Sequence, residues 1–560
     1  MALTNIIFNS KGHARGHIWF SLAGSLLLGL ISSIAYDILS EHGGFGSISF
    51  FIRWFLIAII VLCIYVVSIM AIEKSLSIHC PRIISKLFNY KKLFLILSFL
   101  FVVCWIPYFI AFAPGTLNVD TTGQLVIFYS WANNDGFRTL ADHHPIFDTM
   151  VIGAVVYLFD AVFDGIKYGI MACVFLQLCV TAMAFSYAVC SVKRWGAPNI
   201  VLFVGALFFM IFPLIPITVC SLSKDTFFSW VWIVWLVNYF AFLFDKERCI
   251  ESKKHLIYFT IFSLLMVLTK KTGFYIVAGS LLVLLLVCKV QLRKRVRIAI
   301  PLVSVITLQI AVLPAILSAA SVVSGGAQEA YALPFQQSAV TYMQHGKEIP
   351  PDEFAVLDRI LDIDTVEERY TSEIADPVKA VAVDKDLSGY VAVYVKEGLK
   401  YPDSYAHALM AHVSYLVSDC TINPVMYNNY KTVWNSGYFP ESVFERPFDG
   451  AISAIHDFYG LLAGLPIAHF LFMQGSYAFV IPLFFAGACV LYRKKDLPLL
   501  LAPIFFTCLA LILSPTLYPS NETARYLIPL VYSAPIMFLV VGALRHGSNE
   551  QSRQSVEVSA

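Results

Sequence analysis

A chain of 560 residues that is 58% hydrophobic and only 14% charged, with a mean hydropathy of +0.73, has too few polar side chains to face water over its whole surface. Twelve cysteines lie singly, mostly in apolar runs, with no CxxC pair, which excludes a disulfide framework and a zinc site. The net charge of +2 identifies no partner, and nucleic acid is not expected as one; what remains is an integral membrane protein.

Apolar runs long enough to cross a bilayer lie near residues 18–38, 50–72, 93–113, 166–190, 198–220, 225–244, 255–269, 274–289, 298–320, 476–492, 497–515 and 525–545. The first follows Lys11 and Arg15 without a small-residue cleavage site and reads as an uncleaved anchor. Basic residues concentrate in alternate short loops: Lys74 to Lys92, Lys193–Arg194, Lys246 to Lys254, Arg293 to Arg297 and Arg493 to Lys495. These loops are expected on the cytoplasmic side, together with both termini. Two further apolar stretches, 146–164 and 451–473, would reverse that pattern if they crossed, so both are expected as membrane-dipping or interfacial helices.

The expected fold is therefore an all-α integral membrane protein of about twelve transmembrane helices, two dipping helices and a mainly helical extracytoplasmic domain. Its divisions are an N-terminal bundle over 1–320 with a first outer loop at 114–145, the outer domain 321–450, C-terminal helices over 451–545 and a disordered cytoplasmic tail, 546–560. The outer domain holds nine Lys or Arg and nineteen Asp or Glu. Helices are predicted in it from Asp352 and over Val391–Leu399 and Ser404–Leu416, with an aromatic loop over Thr432–Pro440.

Five polar segments share the outer face, and each carries candidate chemistry. In the first loop, Asp120 follows Pro114-Gly115 and lies beside Asn118, Thr121 and Gln124. A carboxylate there is either a general base toward a hydroxyl, a contributor to a divalent metal site, or a plain helix cap. His143-His144-Pro145 ends the same loop, and one histidine either orients Asp120 or a ligand, or caps the next helix. Adjacent histidines face different ways on a helix, so no metal chelate is expected from the pair. Lys224-Asp225 heads a helix, and Lys270 and Lys271 sit in a tight turn. Lysines on this face want an anionic partner, either a carboxylate of the chain or a phosphate. Arg525, beside Glu522 and Tyr526, opens the last helix against its dipole and wants an anion for the same reason.

This combination resembles the GT-C superfamily of membrane glycosyltransferases, in Asp120 of the first outer loop, in His144-Pro145 before the next helix, and in Arg525-Tyr526. More closely, the chain looks like a family of large bacterial membrane proteins whose outer domain carries Pro334-Phe335-Gln336-Gln337, Tyr370 and Ala375-Asp376-Pro377-Val378-Lys379. The likeness spans roughly residues 105–545, with one departure: Asp120 stands alone where several GT-C branches show an acidic pair, although Asp135 and Asp142 share its loop.

The resemblance implies an inverting transfer of sugar from a polyprenyl-phosphate donor to a glycan, lipid or protein acceptor, on the outer face of a bacterial plasma membrane. It makes Asp120 the base and His143 or His144 its positioning partner. Lys224, Lys270, Lys271 and Arg525 would neutralise the leaving phosphate, Asn118, Gln124, Asp225, Glu522 and Tyr526 would line the site, and Gln336 and Gln337 would bind acceptor glycan. No resident cofactor is implied beyond an optional divalent metal. A flippase, an exporter component or a polymerase of lipid-linked glycans is the alternative.

Overall fold

With no water inside a bilayer to satisfy peptide groups, long apolar runs fold as helices, and most of the described residues do so. The computed structural model describes residues 13–39, 47–75, 90–372, 374–417, 420–424, 437–514 and 524–559.

The helices of the N-terminal bundle are α1 (His13–Leu39), α2 (Ile48–Ser75), α3 (Tyr90–Ala111), α4 (Val119–Asn133), α5 (Ile146–Phe163), α6 (Ile166–Arg194), α7 (Asn199–Ile211), α8 (Lys224–Phe244), α9 (Lys253–Thr269), α10 (Gly273–Val287) and α11 (Leu292–Thr307). The C-terminal part adds α12 (Asp449–Gly464), α13 (Pro466–Phe472), α14 (Ile481–Arg493), α15 (Leu497–Ile512) and α16 (Ala524–Ser559).

By length and composition, eight described helices are able to cross a membrane, so the protein is an all-α, multi-pass membrane protein. Seven coincide with expected spans, and the eighth is Ile146–Phe163, which was expected to be interfacial. The other expected spans are shorter helices; that over 198–220, for instance, breaks at Phe212–Pro213, because proline has no N–H to continue the ladder. Over 451–473 the chain forms two helices separated at Leu465–Pro466, and neither is long and apolar enough to cross. The last helix continues to Ser559, where a disordered tail was expected from residue 546.

Between the two parts, the domain over 321–450 is mainly helical where described and begins with the two-residue strand Val323–Ser324. Its helices Pro351–Leu361, Tyr390–Lys400 and Pro402–Val417 match the expected positions, and Phe335, Leu357, Ile360, Val378 and Tyr390 form a core separate from that of the bundle. Pro402–Val417 leaves this cap to pack on α1, and the His412 ring meets the Ser514 carbonyl at the end of α15 at 2.9 Å. Of the expected aromatic loop, residues 432–436 lie outside the described residues.

Two short parallel ladders align the loops at one end of the bundle. Strand β1 (Thr116–Leu117) pairs with β3 (Ser221–Leu222), and β2 (Ala141–Asp142) pairs with β4 (Val323–Ser324) at the start of the cap. Gly115 enters β1 at φ +139, and a Cβ there would lie 2.6 Å from Val174, so only glycine passes so close to α6.

Candidate functional site

The β1–β3 ladder sets two helix starts side by side. Each repeats one pattern: a capping residue, one intervening residue, then aspartate. Asn118 caps α4 by accepting from the Thr121 amide at 2.9 Å, and Asp120 follows in the first turn. Ser223 caps α8 by accepting from the Thr226 amide at 3.1 Å, and Asp225 follows. The Thr121 hydroxyl donates to the Leu222 carbonyl at 2.7 Å, and the Gln177 amide of α6 donates to Val219 and Ser221 carbonyls at 2.8 and 2.9 Å. Both starts are thus held to the same frame.

An ion-pair network occupies that frame. Lys224 Nζ donates to Asp120 Oδ2 at 2.8 Å, and Arg525 Nη1, from the first turn of α16, reaches the same oxygen at 2.8 Å. Arg525 Nε also lies 3.7 Å from Asp225 Oδ2, while Lys270 Nζ donates to Asp225 Oδ1 at 2.6 Å. Tyr526 places its ring under both cations, 4.9 Å from Lys270 Nζ and 5.1 Å from the Arg525 guanidinium, and its hydroxyl accepts from Arg525 Nη2 at 3.3 Å. Side-chain exposures of Asp120, Lys224, Lys270 and Arg525 are 15, 13, 12 and 9%, and Asp225 is fully buried. The pairs are therefore far less screened than surface salt bridges.

His144 completes the arrangement. Its Nδ1 accepts from Lys224 Nζ at 2.8 Å, which leaves Nε2 to carry the proton, 3.7 Å from Asp120 Oδ1. Burial, reinforced by the Lys224 charge, pushes the imidazole down to about 2, so it is neutral. Burial alone would raise the Asp120 carboxyl, but Lys224 and Arg525 overcome it and hold the group well below the usual carboxylate range. As it stands, Asp120 is a counter-ion with little affinity for a proton.

Helices α4, α5, α8 and α16 all begin at this cluster, so their positive dipole ends add to the three cations. Among the described residues, Lys224, Lys270 and Arg525 are directly paired with two carboxylates, Asp120 and Asp225.

The structure thus brings together Asn118, Asp120, His143, His144, Lys224, Asp225, Lys270, Arg525 and Tyr526. The His143 ring lies 4.5 Å from that of His144 and is lowered by burial against the pull of Glu329 from the cap. Lys271 stands at the rim, half exposed, with Nζ 3.3 Å from Asp142 Oδ2. Each lysine expected to want an anion therefore finds a carboxylate of the chain. Gln124 lies behind the site and donates to Thr149 Oγ1 at 3.0 Å. Glu522 is outside the described residues.

Gln336 and Gln337 require a correction. Both are buried in the cap, where Gln336 donates to the Thr371 and Ile374 carbonyls at 2.9 and 3.2 Å. Gln337 donates to the Tyr405 carbonyl at 3.1 Å and accepts from the Tyr394 hydroxyl at 2.6 Å. Their amides join cap elements to each other and are not presented to an acceptor glycan.

Sequence reasoning missed two residues. Asp148, in the first turn of α5, is fully buried beside Lys224, Asp225 and Lys270, and neither carboxyl oxygen has a hydrogen-bond partner among the described residues. It stands three residues after Pro145 and looks like an ordinary first-turn acid; no local signal reveals its burial. Arg446 reaches back from the end of the cap to the carbonyls of Phe112, at 3.1 Å, and Gly115, and so closes the end of α3 and steadies the turn before Asp120. Among the described residues, no group of three or more His, Cys, Asp or Glu is placed to hold a metal ion.

Comparison with known proteins adds no named activity. No curated protein and no solved structure matches it. A family model described as a family of unknown function (DUF6020) matches residues 59–556, which is most of the chain, and the protein belongs to that family.

Proposed function

We propose that this protein transfers a sugar from a polyprenyl-phosphate donor to a cell-envelope acceptor, using the cluster around Asp120. The observation that carries the reading is the meeting of three cations, four helix starts and two carboxylates in a nearly closed site at one end of a membrane bundle. Lys224, Lys270 and Arg525 suit a phosphate leaving group, whose developing charge they neutralise. Asp120 suits a hydroxyl acceptor whose proton must be removed, and His144 is the positioning residue that presents an N–H toward its carboxylate.

The opposite end of the bundle supports an outer location for this site. Lys246, Arg248, Lys294 and Arg297 gather past the last turn of α8, about 30 Å along the helix from Lys224, as cytoplasmic loops do. The cap lies on the site's side, joined to it through β2–β4.

Purified protein in detergent is incubated with polyprenyl-phosphate sugars and a mixed envelope-glycan acceptor, and free lipid phosphate is followed. Turnover of at least one donor supports the reading. Absence of turnover with every donor, alongside translocation of the lipid in vesicles, would replace it with the flippase alternative.

A further inference from the structure

The two cations nearest Asp120 are the same two that a donor phosphate needs. Lys224 Nζ and Arg525 Nη1 both lie 2.8 Å from one oxygen, Asp120 Oδ2. Neither is spare, because Asp225 is engaged by Lys270 at 2.6 Å and by Arg525 Nε at 3.7 Å. A phosphate entering the cluster must therefore compete with the Asp120 carboxylate for its partners.

We propose that Asp120 is locked as a counter-ion in the unliganded protein, and that the phosphate of the donor lipid unlocks it by taking over Lys224 and Arg525. This inference rests on the donor reading given above. Nothing covalent changes in the step: two charge-assisted hydrogen bonds pass from one anion to another. The site is nearly closed, so charge brought in is balanced locally and not by bulk ions. The helix starts around it favour a phosphate over a lone carboxylate.

His144 gives the exchange a structural pivot. Its Nδ1 accepts from Lys224, and its Nε2 proton faces Asp120 Oδ1 at 3.7 Å. As Lys224 turns to phosphate, the neutral imidazole stays between the two and keeps the freed carboxylate aimed. Two consequences follow. An acceptor arriving first meets a carboxylate that does not take its proton, so the donor binds before the acceptor. The proton taken by Asp120 passes to the released phosphate monoester or to water, and departure of the lipid-phosphate product then returns both cations to the carboxylate and closes the cycle.

The test measures binding to the full chain in nanodiscs by calorimetry, with farnesyl phosphate and inorganic phosphate as probes. Removal of the competing carboxylate in Asp120→Asn is expected to tighten farnesyl phosphate binding about tenfold while abolishing transfer. Unchanged or weaker binding in that variant overturns the lock and leaves the donor reading standing. No binding of farnesyl phosphate to either protein overturns the donor reading itself. Equal binding of inorganic phosphate keeps the lock but assigns the site to a free anion. Should Asp120→Asn fail to fold, the infrared difference spectrum of the wild-type protein decides: farnesyl phosphate is expected to shift a carboxylate band away from its ion-paired position, and an unchanged carboxylate region refutes the proposal.

Discussion

Acid should weaken this protein through His144 well before it reaches the carboxylates. The folded imidazole is held at about 2, first by burial and then by Lys224, against an ordinary value of 6.5. A folded value below the unfolded one means that the unfolded chain binds the proton more readily, so the associated stability is complete above pH 6.5 and declines as pH falls toward 2. Each unit below the unfolded value removes roughly 1.4 kcal/mol, so acidification from pH 6.5 to 4.5 should cost about 2 kcal/mol through this one ring. Other buried histidines contribute their own slopes, so the measurement is a difference between proteins. Unfolding in detergent is followed across that pH range for the wild type and for His144→Asn, whose amide oxygen takes the place of Nδ1 and carries no titrating proton. The variant should lose about one proton's worth of slope. Parallel curves would refute the buried neutral imidazole and, with it, the Lys224–His144 bond.

Three further outcomes follow from the same geometry. Arg525→Lys should lower transfer at least tenfold, because a single ammonium does not span Asp120 and Asp225 as the planar guanidinium does, and initial rates would show it. Asp148→Asn should leave the unfolding midpoint unchanged or raise it, since the buried carboxyl has no hydrogen bond to lose; marked destabilisation would reveal a partner for it. Gln336→Ala should destabilise the cap by about 1–3 kcal/mol, read by limited proteolysis, without changing acceptor KM; a raised KM in a stable cap would return it to the acceptor site.

Much of this site was legible because its residues violate local expectation. The alternation of basic loops put Lys224, Lys270 and Arg525 on the expected outer face, where cations are disfavoured, and Arg525 also opposes its own helix dipole. Each therefore advertised a need for an anion. What the chain could not state was which anion. Asp120 lies 104 residues from Lys224, and the two-residue β1–β3 ladder sets their helix starts side by side. Periodicity does not register a strand of two residues. Gln336 and Gln337 were given to an acceptor only through the resemblance carried by Pro334-Phe335-Gln336-Gln337, whereas both are buried and donate to backbone carbonyls of the cap. Ile146–Phe163 was expected to dip or lie at the interface from the alternation of basic loops and the net acidic segment Asp160–Lys167, whereas by length and apolarity it is also able to cross.

The central claim is that Asp120 and its cations form a phosphate-releasing transfer site. Its most direct test is a single-turnover experiment with a radiolabelled polyprenyl-phosphate sugar, comparing wild type with Asp120→Ala at equal folded concentration. The account predicts lipid phosphate released by the wild type and a loss of at least about a hundredfold in the variant. Equal release by both proteins would contradict it.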